Sequence, residues 1–172
     1  KFDEWFPYKT DQQIIFLNGL LEKDTITIAT VFKSPASTSS GGYGSSQNCG
    51  ANININSKET FNSQQYKFSL YGDVFESAKN FQLSLYDFRI YNLQPSDSGL
   101  VVNGPNNPNN STLKFEYLLS TNFNNKFYSK LEIITADTSQ VKSNRIYKVW
   151  LGIKEGIIAY EEYPSLTRWN KQ

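Results

Sequence analysis

The stretch that decides the fold is residues 145–163, RIYKVWLGIKEGIIAYEEY. Two apolar runs flank Lys154-Glu155-Gly156, a three-residue turn with glycine where a positive φ is needed. In the first run Val149 and Leu151 alternate with Lys148 and Trp150, which puts two side chains on each face of a strand. The stretch therefore predicts an antiparallel hairpin with one face buried.

The same period of two recurs upstream. Leu113, Phe115, Tyr117 and Leu119 alternate with Lys114 and Glu116, and residues 127–135 predict a further strand. Residues 65–72 and 81–93 share a short likeness, Phe68-Ser69-Leu70-Tyr71 against Leu83-Ser84-Leu85-Tyr86, as two neighbouring strands would. Beyond Tyr86 the apolar parity shifts to Phe88 and Ile90, which predicts a bulge near Asp87. Residues 50–57 alternate Ile53 and Ile55 with asparagines, residues 24–33 alternate Ile26, Ile28 and Phe32 with Thr25, Thr27 and Ala29, and residues 13–18 read as a first strand. Residues 1–10, with Trp5, Phe6, Pro7 and Tyr8, predict a lead-in that plugs into the core, and the tail beyond Pro164 ends with Trp169.

Two polar segments interrupt the pattern. Residues 34–48 are Ser/Gly-rich, and residues 94–110 hold Pro105 and Pro108, which cannot donate to a ladder. Residues 136–144 are a polar connection with room for a short helical turn. No 12-residue window carries capped i, i+3, i+4 apolar spacing. The expectation is one all-β domain over residues 1–172: an antiparallel sandwich or barrel-like sheet of about nine strands with two long polar loops.

Composition supports that class. Aromatics make up 15% of the 172 residues, which favours strands and a packed core over disorder. The net charge of +1 is dispersed, so there is no basic footprint for nucleic acid or for an anionic membrane surface. No apolar run approaches the roughly 20 residues that span a bilayer, so no transmembrane segment is expected. No signal peptide is present; since the chain begins at Lys1, the expectation is a mature or trimmed form whose export signal was removed.

The chain contains no histidine and one cysteine, Cys49. No intrachain disulfide can form, and Cys49 reads as a small buried hydrophobe. Ser-His-Asp triads, His-activated thiols and His-containing zinc sites are excluded for want of the imidazole. Calcium through Asp97 or Asp137 has no DxDxDG spacing behind it. No cofactor, no metal and no catalytic residue is therefore assigned. Carboxylates are the remaining acid–base groups, and Glu116, Glu132, Glu161 and Glu162 sit on predicted strands. Their alternation with apolar residues is that of a solvated sheet face, although a converging pair would serve glycoside hydrolysis. The candidate binding residues are aromatics on polar faces, Tyr71, Tyr86 and Trp150, because an exposed ring with a polar tip stacks on flat ligands and sugars. Asn110-Ser111-Thr112 is a glycosylation sequon of little weight in a chain rich in Asn and Ser.

Two segments carry a resemblance. FPYKTDQQIIFLN with the following DTITIATV, and YKVWLGIKEGIIAYEEY near the end, resemble the opening and closing hairpins of exported β-rich lipoproteins of the Bacteroidetes, over about a quarter of the chain. The resemblance implies an extracytoplasmic protein (outer-membrane-anchored, periplasmic or secreted), with a lipid anchor upstream of Lys1, and it implies no catalytic residues. The expected function is a non-enzymatic binding or structural domain whose partner is carbohydrate, peptide, lipid or another envelope protein. The alternatives are a carboxylate-dependent glycoside hydrolase and a protein–protein assembly or inhibitor module pairing through a sheet edge.

Overall fold

The computed structural model describes residues 2–34, 37–38, 49–62, 65–75, 79–96, 99–102, 113–139 and 145–172. Among the described residues, twelve antiparallel strands follow one another around a nearly closed, barrel-like sheet, and the short strand Ser37–Thr38 pairs beside them with Gly50 and Cys49. In chain order they are β1 (Gln13–Leu17), β2 (Lys23–Lys33), β3 (Cys49–Ser57), β4 (Phe68–Phe75), β5 (Lys79–Leu85) and β6 (Phe88–Ser96). They continue with β7 (Gly99–Val102), β8 (Leu113–Leu118), β9 (Leu131–Ala136), β10 (Arg145–Gly152), β11 (Gly156–Tyr163) and β12 (Arg168–Lys171).

The order around the sheet is a meander. Each strand pairs with its sequence neighbours, and β1 pairs with β12 through Phe16↔Lys171 and Leu17↔Asn170. The seam falls between β7 and β8, which form no ladder among the described residues. Short two-strand ribbons decorate this ring at Thr60–Asn62 with Gln65–Tyr66, and at Thr121–Phe123 with Lys126–Tyr128.

The alternation read from the sequence places the core. Ile14 and Phe16 of β1, Ile26 and Ile28 of β2, Phe68 and Leu70 of β4, Leu83 and Leu85 of β5, and Val149 and Leu151 of β10 all lie in one buried cluster. Burying each such side chain contributes about 1.5–3 kcal/mol. The lead-in does enter this core. After a single helical turn at Phe2–Trp5, the side chains of Trp5, Phe6 and Tyr8 are buried with it. The Tyr8 ring packs edge-on against Phe68 at 5.1 Å, and its hydroxyl accepts the Ile157 N–H at 2.7 Å. Burial raises the Tyr8 phenol far above its ordinary pKa, so it stays neutral in that role.

Five readings are corrected. The ring holds twelve strands where the sequence suggested about nine. Residues 81–93 are two strands joined by a two-residue turn, Tyr86-Asp87, with Leu85 facing Phe88 across it. The parity shift at Phe88 is thus a chain reversal, missed because Tyr86 takes the positive φ (53°) usually given to Gly or Asn. The second polar segment is partly a hairpin, since Val102, Val101 and Leu100 pair with Leu93, Gln94 and Pro95. The tail past Pro164 is the strand that meets β1. In the deciding hairpin Gly152 faces Gly156, so the turn is Ile153-Lys154-Glu155, one residue earlier than read, with Gly156 at φ 74° as expected. Most of residues 34–48, the sequon, Pro105, Pro108 and Asp97 lie outside the described residues.

Candidate functional site

The site is built at one end of the barrel, where β1 runs into β2, β5 into β6 and β11 into β12. Asp24 shares the inward parity of Ile26 and Ile28, so β2 delivers a carboxylate to the inside of the ring. Its Oδ2 accepts the Tyr86 hydroxyl at 2.5 Å and the Tyr160 hydroxyl at 2.7 Å, and its Oδ1 takes the Lys67 ammonium at 2.9 Å. Burial works to raise the Asp24 carboxyl, but the two hydroxyls and Lys67 outweigh it and hold the pKa below its ordinary value. Tyr86 and Tyr160 are correspondingly raised, both first by burial, then Tyr86 by Asp24 and Tyr160 by Tyr86 and Asp24.

Above this network lies an open cleft of about 720 Å³, lined by Asn18, Leu20, Glu162, Leu166, Trp169 and Asn170 among others. Its inner wall is the Trp169 indole, stacked on Tyr160 with centroids 6.0 Å apart and planes 17° from parallel. Its rim is the β1–β2 turn and the β11–β12 turn. Asn18, almost fully buried, ties down the first: its Oδ1 accepts the Leu20 and Glu22 N–H groups at 3.0 and 2.9 Å, and its Nδ2 donates to the Glu22 carboxylate at 2.5 Å. The second is closed by the Glu162 and Leu166 N–H groups, which donate to the Thr167 and Glu162 carbonyls at 3.0 and 2.9 Å. Both turns push leucines outward. Leu20, Leu21 and Leu166 are 80%, 78% and 59% exposed. Leu21 and Leu166 also hold positive φ values of 63° and 56°, a conformation that bulky residues seldom adopt.

Glu162 stands in this mouth half-buried. Burial raises its pKa most; the nearby Trp169 indole N–H works against that, and the charges of Asp24 and Asp87 add to it, leaving the group raised. Asp87 itself is paired with Arg145 at 2.5 Å.

The three aromatics singled out from the sequence separate. Tyr71 is exposed on the outside of β4, in register with Gln82. Tyr86 belongs to the Asp24 network. Trp150 is only 3% exposed, under the ribbon of Thr121–Phe123 and Lys126–Tyr128. Phe123 lies 5.6 Å from it, and the Arg168 guanidinium and Lys148 ammonium sit over its ring at 4.7 and 5.0 Å. Trp150 is thus the centre of a small outer core, and the three form no shared platform.

The four glutamates separate as well. Glu116 is exposed on β8. Glu161, on the outer face of β11, is held by the Tyr147 hydroxyl and by Arg168 at 2.8 Å. Glu162 occupies the next position along β11 and so faces the other way. Glu132 is buried inside at the seam, where its Oε2 accepts the Leu100 N–H of β7 at 3.0 Å. These four therefore do not supply the facing carboxyl pair that glycoside hydrolysis uses. Burial pushes the Glu132 carboxyl up to about 7. Asp137 is exposed and accepts the Ser139 N–H at 3.0 Å.

Among the described residues no group of three or more His, Cys, Asp and Glu is placed to hold a metal, and no helix is long and apolar enough to cross a membrane. No protein-family model, no curated protein and no solved structure matches this chain. No periodic pattern marks the mouth, because its lining comes from two turns far apart in sequence; Asn18 with Glu22 four residues on is the one local signal, an Asx-type turn.

Proposed function

We propose that the protein is a non-enzymatic binding domain of the bacterial cell envelope or secreted fraction, and that it takes a small ligand at the Trp169 mouth. The observation that supports this reading is the cleft itself. It joins an aromatic wall, exposed leucines and a few polar groups on a braced scaffold, the usual make-up of a small-molecule site at a barrel mouth. The extracytoplasmic placement, with a lipid anchor ahead of Lys1, rests on the resemblance of the two terminal segments to exported lipoproteins.

The test is amide chemical-shift mapping of the whole protein against oligosaccharides, short peptides, lipids and a fragment set. Shifts confined to 18–22 and 165–170 are the expected result. A screen in which those two turns never move would remove the support for a mouth ligand.

A further inference from the structure

Charge around the mouth is unbalanced in a way that selects among ligands. Glu22 and Glu162 both line the cleft, and neither has an ion-pair partner among the described residues. The cations nearby are committed elsewhere. Lys67 is bound to Asp24 at 2.9 Å and Arg145 to Asp87 at 2.5 Å. Arg168 contributes to the cleft wall, but its guanidinium lies on the outer face, on Glu161 at 2.8 Å and over the Trp150 ring. Lys23 precedes the inward Asp24 and therefore points outward.

The mouth thus offers a half-buried carboxylate beside an indole face, with Asp24 and Asp87 behind it, each already held in an ion pair. An indole attracts cations better than other rings do, and a carboxylate in partly desolvated surroundings favours a positive neighbour. The rim leucines Leu20 and Leu166 add apolar contact for a carbon body.

We infer that the mouth binds an organic cation, an amine or quaternary ammonium with an apolar body, its charge against Glu162 and Trp169 and its body between Leu20 and Leu166. This rests on the mouth-binding reading above. The positive charge of such a ligand offsets the burial and the neighbouring acids that raise the Glu162 pKa, so affinity falls in acid as Glu162 takes a proton.

The experiment compares three probes of one shape: protonated phenethylamine, neutral phenethyl alcohol and anionic 3-phenylpropionate. Calorimetry and amide shift mapping are done on the whole chain. The amine is expected to bind about tenfold or more tightly than the alcohol, and the acid more weakly still. Glu162→Gln, with Glu22→Gln as a second variant should the first melt early, brings the amine down to the alcohol's affinity and leaves the alcohol unchanged. Equal affinities, or a preference for the acid, overturn the cation inference while shifts at the mouth keep the binding reading. An amine that moves neither turn at millimolar concentration overturns it too, and if the broader screen is also silent there, the binding reading falls with it.

Discussion

The Tyr160 hydroxyl donates to the Asp24 carboxylate at 2.7 Å, joining β11 to β2 through the inside of the barrel. Tyr86 donates to the same oxygen from the β5–β6 turn. One inward carboxylate therefore fastens three separate parts of the ring.

Tyr160→Phe or Tyr86→Phe should each cost about 1.5–3 kcal/mol, because each removes a hydrogen bond to a charged acceptor. The effect has a pH signature. Asp24 is depressed in the folded state, so its contribution is present above the ordinary carboxylate pKa and is lost as pH falls through the folded value. Urea unfolding across the acid range should show wild type and Asp24→Asn converging at low pH; a constant gap would contradict the assignment.

Glu132 should act in the opposite sense. Its carboxyl moves from 4.5 to about 7 on folding, so between those values the native state keeps a proton that the unfolded chain has released. Stability attributable to this group declines as pH rises through that window, by about 3 kcal/mol at most. Glu132→Gln should flatten that part of the profile, and thermal melts at pH 5 and pH 8 would reveal it.

Gly99 marks the seam. It holds φ 110°, and a Cβ there would run into the Glu132 carboxylate and the Tyr117 ring. Gly99→Ala should cost about 2–5 kcal/mol from strain and crowding together. Gly19→Ala is the control, since a Cβ at Gly19 meets nothing within 4 Å. Chemical denaturation of both variants measures the difference.

Trp150→Ala should lose about 3–5 kcal/mol through the cavity it leaves under the outer ribbon. Tyr71→Ala, at an exposed site, should stay within about 0.5 kcal/mol of wild type. Equal small losses at both positions would mean that the ribbon does not cover Trp150.

Where one face of a strand is packed, the sequence is a good guide. Alternation at Ile26 and Ile28, at Phe68 and Leu70, and at Val149 and Leu151 reports the inward face directly. It fails where turn chemistry is atypical. Tyr86-Asp87 reverses the chain without Gly or Asn, and Pro95 sits in a strand whose ladder with β5 ends at Leu93. It also fails for β12, whose four residues are too few to show a period and are placed between β11 on one side and distant β1 on the other. The mouth was illegible for a related reason: Asp24 looks like one more polar position until the fold turns it inward to meet tyrosines 62 and 136 residues away.

The meander has a mechanical corollary. Within the one sheet, strands β1–β7 form one run of neighbours and β8–β12 another, joined at one border by the two-pair β1–β12 register and at the other by contacts such as Glu132 on Leu100. Each run is internally laddered along its length, whereas both borders are thin. The two runs are therefore the natural cooperative units, and transient opening should begin at the borders, with amide exchange there faster than within either run. Because Trp169 of β12 stacks on Tyr160 while Asn18 follows β1, the mouth straddles the thinner ladder, and anything seated there would hold the two units together.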